Sequence, residues 1–374
     1  MKKVLILRSN QILSDSRTEK YIEFLKEKGV EYSIIGWDRK DSGAEYERAI
    51  FYRRKVGYVV GGMKAAVNRL FWFRYLIARL RKMVDKDTMI HACDIDTAFP
   101  AALYKFFFNR KAFVLYDVFD WMSAMSAKTN PIIMKGIKFM EWFTLRHIDK
   151  LYICEEERRI QIPDAEKYDI SVLPNIPMID KPESVRVVDK KYYFDNNLPT
   201  LSYVGWFSYG RFLDELIDVA KKKKINLLIA GYGNKEIEDA CSDTVSNDNI
   251  RYYGRVDYLE GLKMMYNSDL MYAMYCKVEP NHIYAAPNKF YECMLLGKPI
   301  ITTKGIIIGD KVEKLNIGYT IEETEEELID LVDHIDTDDL KQKSQNCLMQ
   351  WEKVYSSYTK DFLNQNYYQL ITSN

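Results

Sequence analysis

Ala285-Ala286-Pro287-Asn288-Lys289-Phe290-Tyr291-Glu292-Cys293-Met294-Leu295-Leu296-Gly297-Lys298-Pro299-Ile300-Ile301 reads as a helix followed by a buried strand. Pro287 suits the first helical position, where a missing N–H does no harm. Gly297 supplies the stop, and Ile300, Ile301 and Thr302 open the strand. Ala286 has no side-chain oxygen to cap the helix, so the N–H groups of Asn288, Lys289 and Phe290 are left for another acceptor. A helix start of this kind, at the positive end of the dipole, attracts anions. Lys289 adds a full charge there, and Glu292, three residues on, shares the same face. A nucleoside diphosphate offers phosphates to the helix end and ribose hydroxyls to the carboxylate. An ordinary surface helix with a Pro start and a Gly stop shows the same caps.

Around this stretch the chain alternates short apolar strands with helices, which predicts parallel, doubly wound α/β sheets. At 374 residues it is too long for one ordinary core, so two domains are expected. Strands are predicted at 4–7, 32–35, 89–92, 113–116 and 151–154. After a Pro-rich, charged stretch at 174–199 that reads as a linker, the rhythm restarts at 201–204, 226–230, 250–253, 270–274 and 300–302. A long helical stretch covers 340–371.

Lys plus Arg and Asp plus Glu are both 54, for a net charge of zero. A dedicated nucleic-acid binder would carry a basic excess. Six scattered cysteines with no Cys-x-x-Cys pair, and only four His, argue against zinc and fit a reducing cytoplasm. The apolar run at 4–7 is ended by Arg8 and Asn10, too early for a signal peptide. No run is long enough for a membrane span.

The Pro-Asn-Lys-x-x-Glu-x-Met-x-x-Gly-Lys-Pro pattern at 287–299 resembles the donor-binding helix of family 4 (group 1) glycosyltransferases. The likeness extends to residues 34–39, which carry a Gly-Trp-Asp-Arg ending, and to 90–101 and 114–120. Val172-Leu173-Pro174-Asn175, the segment 203–211 and the helix around Trp351 are also similar to that family. The resemblance implies the GT-B fold, two Rossmann-like domains facing a central cleft. Residues 1–176 would then bind the acceptor and 177–354 the nucleotide-sugar donor, with a C-terminal helix, 355–374, returning to the first domain. It implies a retaining, metal-independent, cofactor-free enzyme in the cytoplasm. That enzyme would move a sugar from a nucleotide sugar to a glycan or polyprenyl-linked acceptor in cell-surface polysaccharide synthesis, peripheral on the inner membrane face.

On this reading the donor site is Gly205, Arg211, Asn288, Lys289 and Glu292. Gly205 and Gly210 let backbone approach a ligand, and Arg211 clamps phosphate oxygens. Arg211 at a helix start opposes the dipole, which points to function more than packing. In the resembling family a basic pair holds the diphosphate; Trp206 stands at its first position here. Tyr284 stands where a first Glu is common, with Glu279, Asn281 and His282 just upstream. In the first domain Asp94 and Asp96 end one strand, and Asp117 and Asp120 another. Asp94, Asp117 and Asp120 are the candidate catalytic residues, orienting the acceptor hydroxyl; each also fits a plain cap or turn. Phe119 stands where the family commonly has His. Ser14 or Asp15 caps the following helix, and Arg17 is a candidate acceptor or phosphate contact.

Residues 61–83 contain no acid and six cations. Met63, Ala66, Leu70, Phe73, Ile77 and Leu80 form one stripe, with Phe71, Trp72 and Leu76 off it. Such a helix suits either an anionic membrane surface or a domain core packed on two sides. Two other functions fit the same chain. A GT-B nucleotide-sugar epimerase would need acid/base groups in a His-poor sequence. A non-catalytic GT-B partner subunit would explain Trp206, Tyr284 and Phe119.

Overall fold

The computed structural model describes residues 2–9, 15–43, 45–56, 63–125, 130–243 and 247–373. The Ser14 cap and residues 61–62 of the basic stretch, with the side chains of Met63 and Lys64, lie outside the described residues. Two compact units are present: Met1–Pro174 together with Thr359–Asn374, and Asn175–Tyr358.

The first unit is built on seven strands: β1 (Lys3–Arg8), β2 (Tyr32–Asp38), β3 (Ala49–Arg53), β4 (Thr88–Cys93), β5 (Phe113–Asp117), β6 (Lys150–Ile153) and β7 (Ile170–Val172). They lie in the order β3-β2-β1-β4-β5-β6-β7, every pairing parallel. All six residues of β4 are buried, as expected of a parallel strand covered on both faces. Helix α1 (Ser16–Glu27) is capped by Asp15, whose carboxylate accepts from the Thr18 N–H at 3.1 Å.

Helix α2 (Met63–Met83) turns a different face inward from the one its periodicity suggests. Trp72 and Leu76, expected off the packed stripe, are fully buried, while Leu70 is 65 % exposed. The Trp72 ring stacks on Trp37 at 5.4 Å. Its indole N–H donates to the Asp96 carbonyl at 2.9 Å, at the start of α3 (Ile95–Phe107). Apolar residues surround α2 on all sides, so the partner of the Trp72 indole, not periodicity, sets its rotation.

The closing segment belongs to this unit. The Lys2 N–H donates to the Ile371 carbonyl at 2.8 Å. Thr359, Leu363, Tyr367 and Ile371 are buried. This spacing of four would drift around an α-helix of 3.6 residues per turn. The wider π-type turns at Trp351–Tyr355 and Leu363–Tyr367 correct the drift. In the second unit, Val354 is 45 % exposed, and Tyr355 packs against Tyr291, ring centroids 5.2 Å apart.

The second unit carries six strands: β8 (Thr200–Phe207), β9 (Asn226–Gly233), β10 (Ile250–Tyr252), β11 (Leu270–Ala273), β12 (Ile300–Thr303) and β13 (Gly318–Ile321). They lie in the order β10-β9-β8-β11-β12-β13, all parallel. β8 does not end at Val204. It continues through Gly205 and Trp206, paired with Gly231 and Tyr232 of β9. A Cβ at Gly231 would lie 2.0 Å from the Gly205 carbonyl oxygen, so only glycine allows this pairing. The stretch 175–199, expected as a linker, is instead packed on this unit. Ile176, Val185 and Tyr192 are buried, and Arg186 donates to the Leu295 carbonyl at 2.8 Å.

Candidate functional site

In each sheet the strand order reverses beside the first strand, at β1/β4 and at β8/β11, where open α/β sheets bind ligands beyond the strand carboxyl ends. In the second unit the helix Asn288–Leu296 opens with Pro287 as its cap residue rather than its first turn, and no side chain caps it. Phe290 is not free as expected: its N–H reaches the Pro287 carbonyl at 3.2 Å. The N–H groups of Asn288 and Lys289 have no acceptor among the described residues. Gly297 ends the helix in the left-handed conformation at φ 65°.

Lys289 is half-buried, with Nζ 5.7 Å from the centre of the Tyr203 ring. The Tyr203 hydroxyl is tied to the Trp206 carbonyl at 2.7 Å. Burial holds the Lys289 ammonium below its usual pKa; Glu292 pulls it up and Arg211 pushes it further down. Arg211 ends a short 3-10 turn, Tyr209–Arg211. Its guanidinium sits over the Tyr275 ring at 4.1 Å, and its buried Nη1 has no hydrogen-bond acceptor. Neither Arg211 nor Lys289 has a carboxylate within ion-pair distance among the described residues. Glu292 is 3 % exposed, and its Oε2 is buried without a donor. Two unneutralised cations, an open helix start and a carboxylate short of a donor are thus collected at one switch point. Such a set accepts an anion beside hydroxyls.

A Cβ on Gly205 would lie 3.6 Å from Lys289 Nζ. Its absence leaves that space open rather than relieving a clash. The turn Pro280–Ile283 lies beside Arg211, since a Cβ on Gly210 would come within 3.0 Å of His282 Cε1. Glu279 is the cap residue of this turn and Tyr284 follows it. Trp206 is 54 % exposed and meets Tyr232 edge-on at 5.1 Å. Tyr203 and Tyr275 were missed by sequence reasoning; their signal was an aromatic at or near a strand carboxyl end.

In the first unit the acids separate. Asp117 is fully buried, and Arg17 grips it with Nη2–Oδ1 at 2.7 Å and Nε–Oδ2 at 3.0 Å. The Tyr21 hydroxyl donates to it at 2.9 Å. Burial alone would raise the Asp117 pKa, but Arg17 and His91 hold it well below the usual carboxylate range. Both carboxylate oxygens of Asp117 are therefore held by donors within the first unit. Arg17 itself is 4 % exposed and spans Asp117 and the Leu173 carbonyl, 2.5 Å from Nη1. Asp96 is likewise structural, buried and paired with Arg39 and Arg69.

Asp94 remains at the edge, its side chain 24 % exposed. It pairs with Arg8 and accepts from the Phe119 N–H at 2.9 Å. Burial, opposed by Arg8, pushes its carboxyl up to about 6. Its backbone sits at φ 66°, ψ 165°, a region nearly reserved for glycine. Asp120, 41 % exposed at its side chain, lies 3.4 Å from Arg158. Phe119 lies under the Arg8 guanidinium at 4.1 Å. Sequence reasoning did not find Arg8; it was visible only as the residue that ends the first apolar run.

His91, Cys93 and Asp117 bring their ligand atoms within 4.8 Å of one another, a grouping the scattered sequence positions did not suggest. They do not suit a cation. Arg17 already occupies the carboxylate, and burial keeps the Cys93 thiol protonated. The His91 Nδ1 is 2.9 Å from the Tyr367 hydroxyl.

Residues 186–347 match the family model of glycosyl transferases group 1. The second unit carries a group 1 glycosyltransferase domain. No match is found among curated proteins. The whole chain is similar in fold to the sucrose-phosphate synthase of Thermosynechococcus elongatus, with TM-score 0.72 and 14 % identity over 100 % of both chains. It is similar to Anabaena HepE, solved in complex with UDP, with TM-score 0.69 and 14 % identity over 97 % of this chain and 98 % of that one. It is also similar to an alpha,alpha-trehalose-phosphate synthase (UDP-forming) from Burkholderia vietnamiensis, with TM-score 0.68 and 9 % identity over 97 % and 99 %. Identities this low speak for the fold, and that fold is GT-B. No helix among the described residues is long and apolar enough to cross a membrane.

Proposed function

We propose that this glycosyltransferase is retaining and metal-independent, and moves a sugar from a nucleoside diphosphate sugar to a glycan or lipid-linked acceptor. The carrying observation is the pair of unneutralised cations, Arg211 and Lys289, at the open start of the helix Asn288–Leu296. The β-phosphate of the leaving diphosphate would sit against the Asn288 and Lys289 N–H groups, with Arg211 on its other oxygens. Charge developing on the departing oxygen is then met by groups already oriented for it. These two cations and the helix dipole supply the compensation a divalent ion would otherwise give. The buried Oε2 of Glu292 gains its missing donor from a ribose hydroxyl. The UDP named for two of the similar structures supports a uridine nucleotide.

In the first unit Asp94 is the carboxylate best placed to orient an acceptor hydroxyl. It lies at a strand carboxyl end, partly exposed, with a pKa near the working range. Asp117 acts behind it by fixing Arg17.

Thermal-shift titration with UDP, GDP, dTDP and CMP tests the donor site, because a ligand bound to the native state alone raises its melting temperature. UDP is expected to give the largest shift. No shift from any nucleoside diphosphate would refute the reading. The sealing of Asp117 favours a second reading, a partner subunit that binds nucleotide without turnover. Release of UDP from a UDP-sugar separates the two.

A further inference from the structure

We propose that the face made by the carboxyl end of α3 and the helix Pro131–Leu145 rests on an anionic lipid bilayer. The proposal concerns the first unit alone and does not depend on the donor reading. Phe106, Phe107 and Phe108 end α3 and are 39 %, 66 % and 51 % exposed. Phe139 and Trp142 on the facing helix are 54 % and 49 % exposed. The rings form one connected patch: Phe106 meets Phe143 at 5.8 Å, and Phe139 meets both Trp142, at 5.8 Å, and Phe143, at 6.1 Å. Isolated surface aromatics need no explanation, but a contiguous patch marks an interaction site.

The charges on this face choose the occupant. Arg146 lies over Trp142 at 4.7 Å, and Arg81, from the end of α2, over Phe108 at 4.7 Å. Lys135 and Lys138 are exposed on the same helix. Neither helix exposes a carboxylate: Asp96 is buried against Arg39 and Arg69, and Glu141 is buried, accepting from the Ser123 N–H at 2.8 Å. Beside this face the carboxylate of Asp149 is taken up by Lys105 at 2.5 Å, which leaves Arg81, Lys135, Lys138 and Arg146 around the aromatic floor. An aromatic floor with such cations, stems lying along the rings and charges outward, matches the boundary between headgroups and acyl chains. A protein partner would have to bring carboxylates to every one of these cations. The negative surface of a bilayer does so without specific pairing. The whole basic stretch of α2 is therefore not the docking element; Trp72, Phe73, Leu76 and Leu80 are core, and only its carboxyl end joins the face.

The test is co-sedimentation of the full chain with vesicles of phosphatidylcholine, with and without phosphatidylglycerol. The parent should bind only the phosphatidylglycerol vesicles and release them as salt rises. The variant Phe107→Ser/Phe139→Ser/Trp142→Ser, altered only at exposed positions, should lose binding by at least about tenfold while keeping its melting temperature and UDP affinity. The variant Lys135→Gln/Lys138→Gln/Arg146→Gln should lose about a hundredfold and the preference for anionic lipid. A parent that ignores phosphatidylglycerol vesicles at low salt overturns the proposal. So does unchanged binding in both variants. A lipid-free dimer that the Ser variant dissociates, in a chain that does not bind vesicles, would assign the face to a second copy instead.

Discussion

The Arg211 guanidinium is held 4.1 Å above the ring of Tyr275, bringing together the residues that follow the two central strands, β8 and β11, at the switch point of the second sheet. The stacking face orients the cation without neutralising it. A carboxylate in that place would have consumed the charge the site needs. Tyr275→Phe should therefore preserve nucleotide affinity and Tyr275→Ala should reduce it several-fold, as measured by calorimetry with UDP. Equal loss in both would mean that the hydroxyl, not the ring, positions Arg211.

Arg211→Ala and Lys289→Ala should each weaken UDP binding by roughly 1.5–3 kcal/mol, as for hydrogen bonds to charged groups. The two losses should not add, because both side chains face one diphosphate. Wild-type affinity in both variants would place the donor elsewhere.

Asp94 makes a pH prediction with a definite sign. Its folded pKa of about 6 lies above the reference 3.8. Between those values the folded chain keeps a proton that the unfolded chain has released. Stability from this group is therefore full below about pH 4 and falls as pH rises to about 6, by about 1–3 kcal/mol. Asp94→Asn should flatten that slope in urea titrations. If the ionised carboxylate orients the acceptor, transfer should rise through pH 6 in the parent and lose that limb in the variant.

Asp117 has the opposite sign in a different window. Its pKa is depressed by Arg17, so its contribution is present above its unfolded value and is lost as pH falls below about 4. Arg17→Met leaves the carboxylate buried and uncompensated and should cost about 3–5 kcal/mol. Asp117→Asn added to Arg17→Met should recover part of that loss in chemical denaturation.

If the two cations and the helix start carry the leaving-group charge, EDTA should leave sugar transfer unchanged. Activity lost to EDTA and restored by Mg²⁺ or Mn²⁺ would show that the protein alone does not balance the diphosphate.

The α/β class and most strands were legible because parallel strands buried on both faces read as short apolar runs with Gly or Pro between them. The Pro287 to Pro299 pattern located the donor helix for a similarly local reason: caps and charges lie within three turns. What escaped was set by distant partners. Asp117 looked like Asp94 in sequence, each an acid at a strand carboxyl end. Only Arg17 and Tyr21, about a hundred residues away, decide that one is sealed and the other left at the edge. The rotation of α2 hangs on the carbonyl of Asp96. The extension of β8 through Trp206 depends on Gly231, whose lack of a side chain is meaningful only once the two strands are paired.

The hydrogen bond from Lys2 to the Ile371 carbonyl, with Tyr367 against His91, sets an order of assembly. During synthesis the first seven strands emerge with their wall missing, since residues 359–373 are made after the whole of the second unit. At roughly 5–20 residues per second, the intervening segment takes about 10–40 s to appear. The second unit, continuous from Asn175 to Tyr358, can close while the first still waits. The first unit thus waits for a segment translated after the second, and the face of its sheet around His91 of β4 is the surface a chaperone would have to guard in the interval.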